Sequence, residues 1–340
     1  MSAPVRYEHF PAPSFTHLRR LTDAGGLYEH ALGTTPRREH GYCVDDVARA
    51  LVVVCREDGP AQDDLREQYL SFVLAAQDAD GRFRNRRGTD LRFLDAPSVD
   101  DCWGRALWAL GTASADPRAL AAFERGARWR SPSPRATAFA ALGAAEVLSR
   151  RPGHGIALDL LAATPAAVGR PGGPEWPWPE PRLAYANALL PEALLAAGAA
   201  LDAPALVADG LRLLDWLLDV QIRDGHLSLV PAAGRGPFES GPAFDQQPLE
   251  AAALADACAR AHELTGQDRW LTGISLATAW FLGDNDAGTP LHDPESGGGC
   301  DGLERDGRNE NQGAESTLAL VSTLQQAAAR LPARALRAAG

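Results

Sequence analysis

Apolar residues recur at i, i+3, i+4 spacing in twelve stretches, approximately 14–24, 44–56, 61–76, 99–112, 117–128, 134–149, 155–165, 185–199, 203–220, 245–263, 267–282 and 311–329. Gly- and Pro-rich connections separate them, and strand-like alternation is almost missing. The pattern predicts an all-α chain whose helices fall into six consecutive pairs. The two members of a pair differ. The first is amphipathic, as where Gln62, Asp63, Asp64, Arg66, Glu67 and Gln68 alternate with Leu65, Tyr69 and Phe72. The second is apolar nearly all round, as from Val47 to Val54 or from Leu189 to Gly198, and such a helix is buried on all sides. Six wet helices alternating with six dry ones predict an outer ring around an inner ring.

The connections alternate too. From a dry helix to the next wet one they are short (Glu57 to Pro60, Thr112 to Asp116, Thr265 and Gly266). From wet to dry they are usually long (Gly25 to Cys43, Gln77 to Ser98, Gly283 to Glu310). The long loops should therefore gather on one face, at the N-terminal ends of the inner helices, where loops of such length serve function.

Charge narrows the chemistry. The chain has 340 residues, with Lys+Arg 33 against Asp+Glu 44 and a net charge of −11, and every one of the 33 is arginine. Without lysine there is no pyridoxal-phosphate aldimine, no Schiff-base aldolase and no Walker-A nucleotide site. An acidic chain also lacks the basic face that binding nucleic acid requires. Five cysteines, Cys43, Cys55, Cys102, Cys258 and Cys300, are odd in number and without a CxxC pair, which predicts reduced thiols rather than a disulfide frame or a zinc ribbon. Met1 to Phe10 carries Arg6, Glu8 and His9 with no apolar core, and no window approaches about 18 unbroken apolar residues. The expectation is a cytoplasmic protein with no membrane partner, folded as a single domain over 1–340. Its oligomeric state is not legible.

The segments Ala76 to Phe83 (AQDADGRF) and Val220 to Leu227 (VQIRDGHL) resemble the Q-x-x-D-G turn that recurs after outer helices in (α/α)6 toroids. Nearly the whole chain resembles those toroid families, particularly the six-hairpin glycosidases. The block Gly299 to Glu304 and Asn309 to Thr317 is similar to one in uncharacterised bacterial proteins labelled glycosidase-like or glycosyltransferase. The resemblance implies an (α/α)6 barrel, a toroid of six helical hairpins, acting on a carbohydrate.

Carboxylates and amides crowd the starts of the inner helices: Asp45 and Asp46, Asp100 and Asp101, Tyr185 with Asn187, Asp245 with Gln246 and Gln247, and Glu310, Asn311 and Gln312 with Glu315. In a toroid all would point into one funnel. Glycoside cleavage needs a protonated carboxyl for the leaving oxygen and an ionised one for water or direct attack. Helix capping also favours Asp at such positions, but a cap needs only one carboxylate and these come as doublets. A second buried carboxylate needs a cation. Arg49, at i+4 from Asp45, and Arg105, at i+4 from Asp101, are the expected partners, leaving Asp46 and Asp100 as the freer acids. Val99 to Trp103 also looks like the adjacent-Asp motif of mannan-cleaving and unsaturated-glycuronyl toroid glycosidases. That likeness makes Asp100 or Asp101 the candidate general acid, and the remaining helix-start acids Asp45, Asp46 or Asp245 are the candidate base or substrate anchor.

Sugar sites combine indoles with amides, arginines and acids. Trp103, Trp176, Trp178, Glu175, Arg84, Asn85, His40, Tyr185, Asn187, Gln246, Asp301, Asn309, Glu310, Asn311 and Glu315 are the expected binding residues. Trp176 and Trp178 belong to a Pro-rich loop expected at the surface, whereas Trp108, Trp216, Trp270 and Trp280 sit inside helices as packing. Asp284 to Gly288 starts like a calcium loop but lacks later ligands, so no metal and no organic cofactor is expected. His9, His17, His30 and His40 precede the first inner helix as solvated loop residues. The reading is a glycoside hydrolase. A sugar epimerase or a polysaccharide lyase on the same fold, or a non-catalytic carbohydrate-binding toroid, are the alternatives.

Overall fold

A computed structural model of the chain describes residues 10–331, and His9 lies outside them. Twelve α-helices follow one another in it: α1 (Thr16–Leu21), α2 (Val44–Cys55), α3 (Asp63–Ala76), α4 (Asp101–Thr112), α5 (Pro117–Gly126), α6 (Pro134–Arg150), α7 (Gly155–Val168), α8 (Leu189–Ala200), α9 (Pro204–Gln221), α10 (Pro248–Thr265), α11 (Asp268–Phe281) and α12 (Ala314–Arg330). The even-numbered helices form the inner ring. Each packs on the next, and α12 packs on α2 to close the circle. Outer helices α3, α5, α7, α9 and α11 each pack on the inner helix that precedes them, and α1 packs on α12 in the sixth position. Among the described residues no helix is long and apolar enough to cross a membrane.

Inner helices that are apolar all round have solvent on neither side, and the structure buries every residue of α8 from Leu189 to Gly198. The closest approach is between α4 and α6. A Cβ on Gly104 would land on the carbonyl oxygen of Ala136, one on Gly111 on that of Gly143, and one on Gly143 on that of Leu107. Trp103, Trp280, Tyr69, Phe83, Phe123 and Phe281 are fully buried, each contributing about 1.5–3 kcal/mol or more of hydrophobic stabilisation.

Several helices start later than the apolar spacing predicts: α8 at Leu189, α10 at Pro248 and α12 at Ala314. Proline at the first helical position sets the start of α10. Before α8 and α12 the side chains of Asn187 and Gln312 bind neighbouring segments. The long connections precede α2, α4, α8, α10 and α12, as expected. They also hold two-stranded antiparallel ribbons that alternation did not reveal, because the strands are only two or three residues long: 22–23 with 26–27, 31–32 with 35–36, 42–43 with 86–87, 222–223 with 226–227, and 302–304 with 307–309. The Asp224-Gly225 turn of one ribbon has φ of +49° and +93°, the left-handed pair that a two-residue hairpin turn requires. The Gln77 side chain ties the matching turn by donating to the carbonyls of Gly81 (3.3 Å) and Ala122 (2.9 Å).

Candidate active site

The inner helices aim a stripe of side chains at the ring axis: Asp45, Asp46, Arg49 and Val53 from α2, Arg105 and Trp108 from α4, Glu315, Leu318, Ala319 and Ser322 from α12. The i, i+3, i+4, i+7 spacing is that of one helical face. At the N-terminal end of the ring this face opens into a mouth cavity of about 290 Å³. Loop residues Glu29, His30, Arg86 and Asp301 line it, together with Cys43, Asp45, Asp46, Arg49, Arg105, Gln247, Gly313, Glu315 and Ser316 at or near the helix starts.

Asp45 is fully engaged. One oxygen accepts from Arg105 Nη1 at 2.7 Å and the other from Asn85 Nδ2 at 2.9 Å. Arg105 also reaches Asp101 at 3.3 Å, and the same Asp101 oxygen accepts from the Tyr185 hydroxyl at 2.6 Å. Burial alone would raise the Asp45 pKa, but the charges of Arg105 and Arg49 outweigh it and hold Asp45 below the usual carboxylate range. Tyr185 is pushed up by burial and by Asp101, so it stays a neutral donor.

Asp46 behaves oppositely. It pairs with Arg49 Nη1 at 2.8 Å, while Arg49 Nη2 contacts Glu315 at 2.6 Å. Burial is the largest influence on Asp46. Although Arg49 opposes it, the like charges of Glu315, Glu29 and Asp45 add to it, and its pKa is pushed up to about 8. Two adjacent carboxyls on one helix turn are thus pushed in opposite directions, Asp45 down by its arginines and Asp46 up by burial. Asp301 is raised by burial too, despite accepting from the Gly313 amide (2.7 Å) and the Ser316 hydroxyl (2.8 Å). Glu29 is paired with Arg86. Donor atoms of Glu29, Cys43 and Asp46 lie within 4.8 Å of one another, but an ion held by them would face the guanidiniums of Arg86 and Arg49.

The expected pairing needs correction: Arg49 reaches Asp46 at i+3 rather than Asp45 at i+4, because Asp45 turns towards α4 and is taken by Arg105. Asp46 is therefore buried and paired rather than the freer acid. Asp100 is exposed and, like the exposed Asp245, does not line the mouth. Trp103 is completely buried, its indole N–H donating to Gly126 O at 3.0 Å. Trp178, expected at the surface, is 2% exposed and stacks on Trp216 of α9, and Trp176 meets the same ring edge-on. The Pro-rich loop is thus folded against the outer ring, and neither indole lines the mouth; Glu175 is exposed on that loop.

Other expected binding residues have structural partners instead. Arg84 pairs with Asp78 at 2.7 Å. Buried Asn187 donates to Glu250, and buried Gln246 donates to Asp286 while accepting from Trp280 Nε1. Asn311 accepts from the Gly33 amide, Asn309 from the Asn311 amide, and Glu310 pairs outward with Arg308. His40 is exposed, edge-on to the His30 ring. The Asp286 side chain is almost completely buried, with one oxygen on His226 and the other on Gln246, so it braces its loop internally.

Glu29, His30, Cys43, Arg86 and Ser316 line the mouth beyond the residues that the sequence points to. Cys43 and Ser316 each sit one or two residues from a selected acid, which is a usable signal. Glu29 and Arg86 meet from loops 57 residues apart, and nothing local marks them. Trp108, expected as packing alone, lines the ring axis and stacks on Phe139 with ring centroids 5.6 Å apart.

Neither a protein-family model nor a curated relative matches the sequence. Solved structures do match in shape. A sugar epimerase from a ruminal bacterium superposes with a TM-score of 0.67 at 14% identity, over 94% of this chain and 95% of that one. Cellobiose 2-epimerase from Bacillus thermoamylovorans gives 0.69 at 9% identity, over 91% and 95%. A GH76 α-mannanase from Bacteroides thetaiotaomicron gives 0.65 at 12% identity, over 92% and 93%. Identities this low speak for the backbone and not for the chemistry. Together with the closed double ring of helices, these superpositions show that the chain has the fold of an (α/α)6 toroid.

Proposed function

We propose that the protein is a glycoside hydrolase in which Asp46 protonates the departing glycosidic oxygen. The carrying observation is a buried carboxyl, 2.8 Å from Arg49 Nη1 in a mouth lined by four further acids, whose pKa burial and the neighbouring carboxylates push up to about 8. Glu315 on the facing helix, with 39% of its side chain exposed, is the carboxylate available to activate water or to attack the sugar. Arg49 holds both groups in register. Asp45, fixed by Arg105 and Asn85, is a positioning charge rather than a nucleophile. These assignments move the acid's role from Asp100 and Asp101 to Asp46. Asp101, Tyr185 and Arg105 support the wall of the site. A cavity of about 290 Å³ is at the small end for ligand sites, so it suits a short glycoside rather than a long polymer.

Epimerisation is the second reading, favoured by His30 at the mouth and by the epimerases among the structural neighbours. Proton abstraction from carbon uses a base titrating near neutrality, usually histidine. Among the described residues His30 is the one histidine lining the mouth, against five carboxylates, which supports hydrolysis. Incubation of manno-, gluco- and galacto-oligosaccharides in D₂O, followed by NMR, decides between them. Hydrolysis releases new reducing ends without deuterium at carbon, whereas epimerisation exchanges a C–H for deuterium without cleavage. Binding with neither product is the outcome for a non-catalytic carbohydrate-binding toroid, and absence of both binding and turnover ends the carbohydrate reading.

A further inference from the structure

Below the mouth the ring axis continues as a second, apolar cavity of about 60 Å³, reached past the Arg49–Glu315 ion pair that lines both spaces. Its walls are the stacked rings of Trp108 and Phe139 and the alanines Ala186, Ala252, Ala253 and Ala319. Its far end is closed by polar groups already satisfied by one another: Asp256 pairs with Arg56 at 3.0 Å, and Glu192 with Arg260 at 3.2 Å. An unfilled apolar space costs stability, and one larger aliphatic side chain among the four alanines would fill it. Resting on the hydrolase reading above, we propose that this lumen is a subsite for a small alkyl group carried by the sugar, with the polar ring in the mouth and the alkyl group pointing down the axis against Trp108.

Size and polarity select that occupant. The lumen is far smaller than the roughly 150 Å³ apolar cavity that admits benzene, so it excludes an aromatic aglycone and takes a methyl- to ethyl-sized group. A hydroxymethyl group would give up its hydrogen bonds to water for a lining made chiefly of alanines, leucines and ring faces, whose few polar groups, Arg49, Glu192, Asp256, Glu315 and Ser322, are already engaged in ion pairs or hydrogen bonds with other residues. The same chemistry is offered by the methyl of a 6-deoxy sugar, of a methyl glycoside or of an acetamido sugar. The shared property is a short alkyl terminus on a polyhydroxylated ring.

Isothermal titration of the full-length protein with matched probes separates these sources: L-fucose against L-galactose, L-rhamnose against L-mannose, methyl glycosides against free hexoses in the manno, gluco and galacto series, and N-acetylglucosamine against glucose. The expected result is at least tenfold tighter binding of the alkyl-bearing member in one pair. Ala319→Leu, which fills the lumen from α12, should erase that preference while leaving the unalkylated member's affinity unchanged. Ala253→Val repeats the test from α10 should leucine disturb folding. Equal affinities throughout, no binding by any member, or a preference that survives both fillings would overturn the proposal. A preference without cleavage of any glycoside sinks the hydrolase reading and leaves the lumen subsite standing; cleavage without a preference does the reverse.

Discussion

Arg49 on α2 contacts Glu315 on α12 at 2.6 Å, so one guanidinium joins the first and last inner helices while its other nitrogen holds Asp46 at 2.8 Å. Removing one partner of such a buried set strands the others. Arg49→Met is expected to lower the unfolding free energy by about 3 kcal/mol. The measurement is a urea titration in which the midpoint falls at constant slope; an unchanged midpoint would show that water replaces the guanidinium without cost.

Asp46→Asn should reduce kcat by about 10²- to 10⁴-fold on substrates with alkoxide leaving groups. The wild-type rate should decline on the alkaline side near pH 8, where Asp46 loses its proton, and that limb should vanish in the variant. A dinitrophenyl glycoside small enough to bind, whose leaving group needs no proton, should recover most of the loss. Equal loss on both substrate types would assign Asp46 a structural role.

Stability should fall as pH rises from about 4 to about 8. Asp46 is raised to about 8, and Glu192 and Glu250 to about 7, all chiefly by burial, so the folded chain keeps protons that the unfolded chain releases near pH 4. Protons bound in excess by the folded state make that contribution fully present below the unfolded pKa and lost as pH passes the folded one. Thermal unfolding should give a lower Tm at pH 8 than at pH 5, and Glu250→Gln should reduce the difference. A Tm difference between pH 5 and pH 8 that is the same in Glu250→Gln as in the wild type contradicts the assignment.

Glycines at two positions should respond with opposite signs. Gly111→Ala forces α4 away from α6 and should cost about 1–3 kcal/mol. Gly155→Ala, at the first position of α7 with no atom within 4 Å of the new methyl, should be neutral or stabilise by up to about 1 kcal/mol. Denaturant melts of the two variants measure both.

The double ring is legible in the chain because an inner helix such as 189–198 has no polar stripe to offer solvent, and the long loops announce their common face by length alone. The site is only partly legible. The acidic doublet at 45–46 marks the mouth, but which arginine takes which acid depends on how α4 and α12 face α2, and that is not a property of spacing. The indoles at 176 and 178 mislead for a related reason: a Pro-rich loop runs on the surface, yet its large side chains turn onto Trp216 and bury their apolar area there. Glu29 and Arg86 are brought together by two loops, and no periodicity reports such a meeting.

Because the ring closes between α12 and α2, the mouth is assembled from opposite ends of the chain: Glu29, Cys43, Asp45, Asp46, Arg49 and Arg86 from its first third, Asp301, Gly313, Glu315 and Ser316 from its last. During synthesis, α2 carries its acids and Arg49 for almost the whole time of translation before the partner that completes their charge balance exists. Folding from the N-terminus can build five of the six inner staves and still have no site. Any interruption before α12 therefore leaves at most five inner staves and a mouth without Glu315 and Ser316.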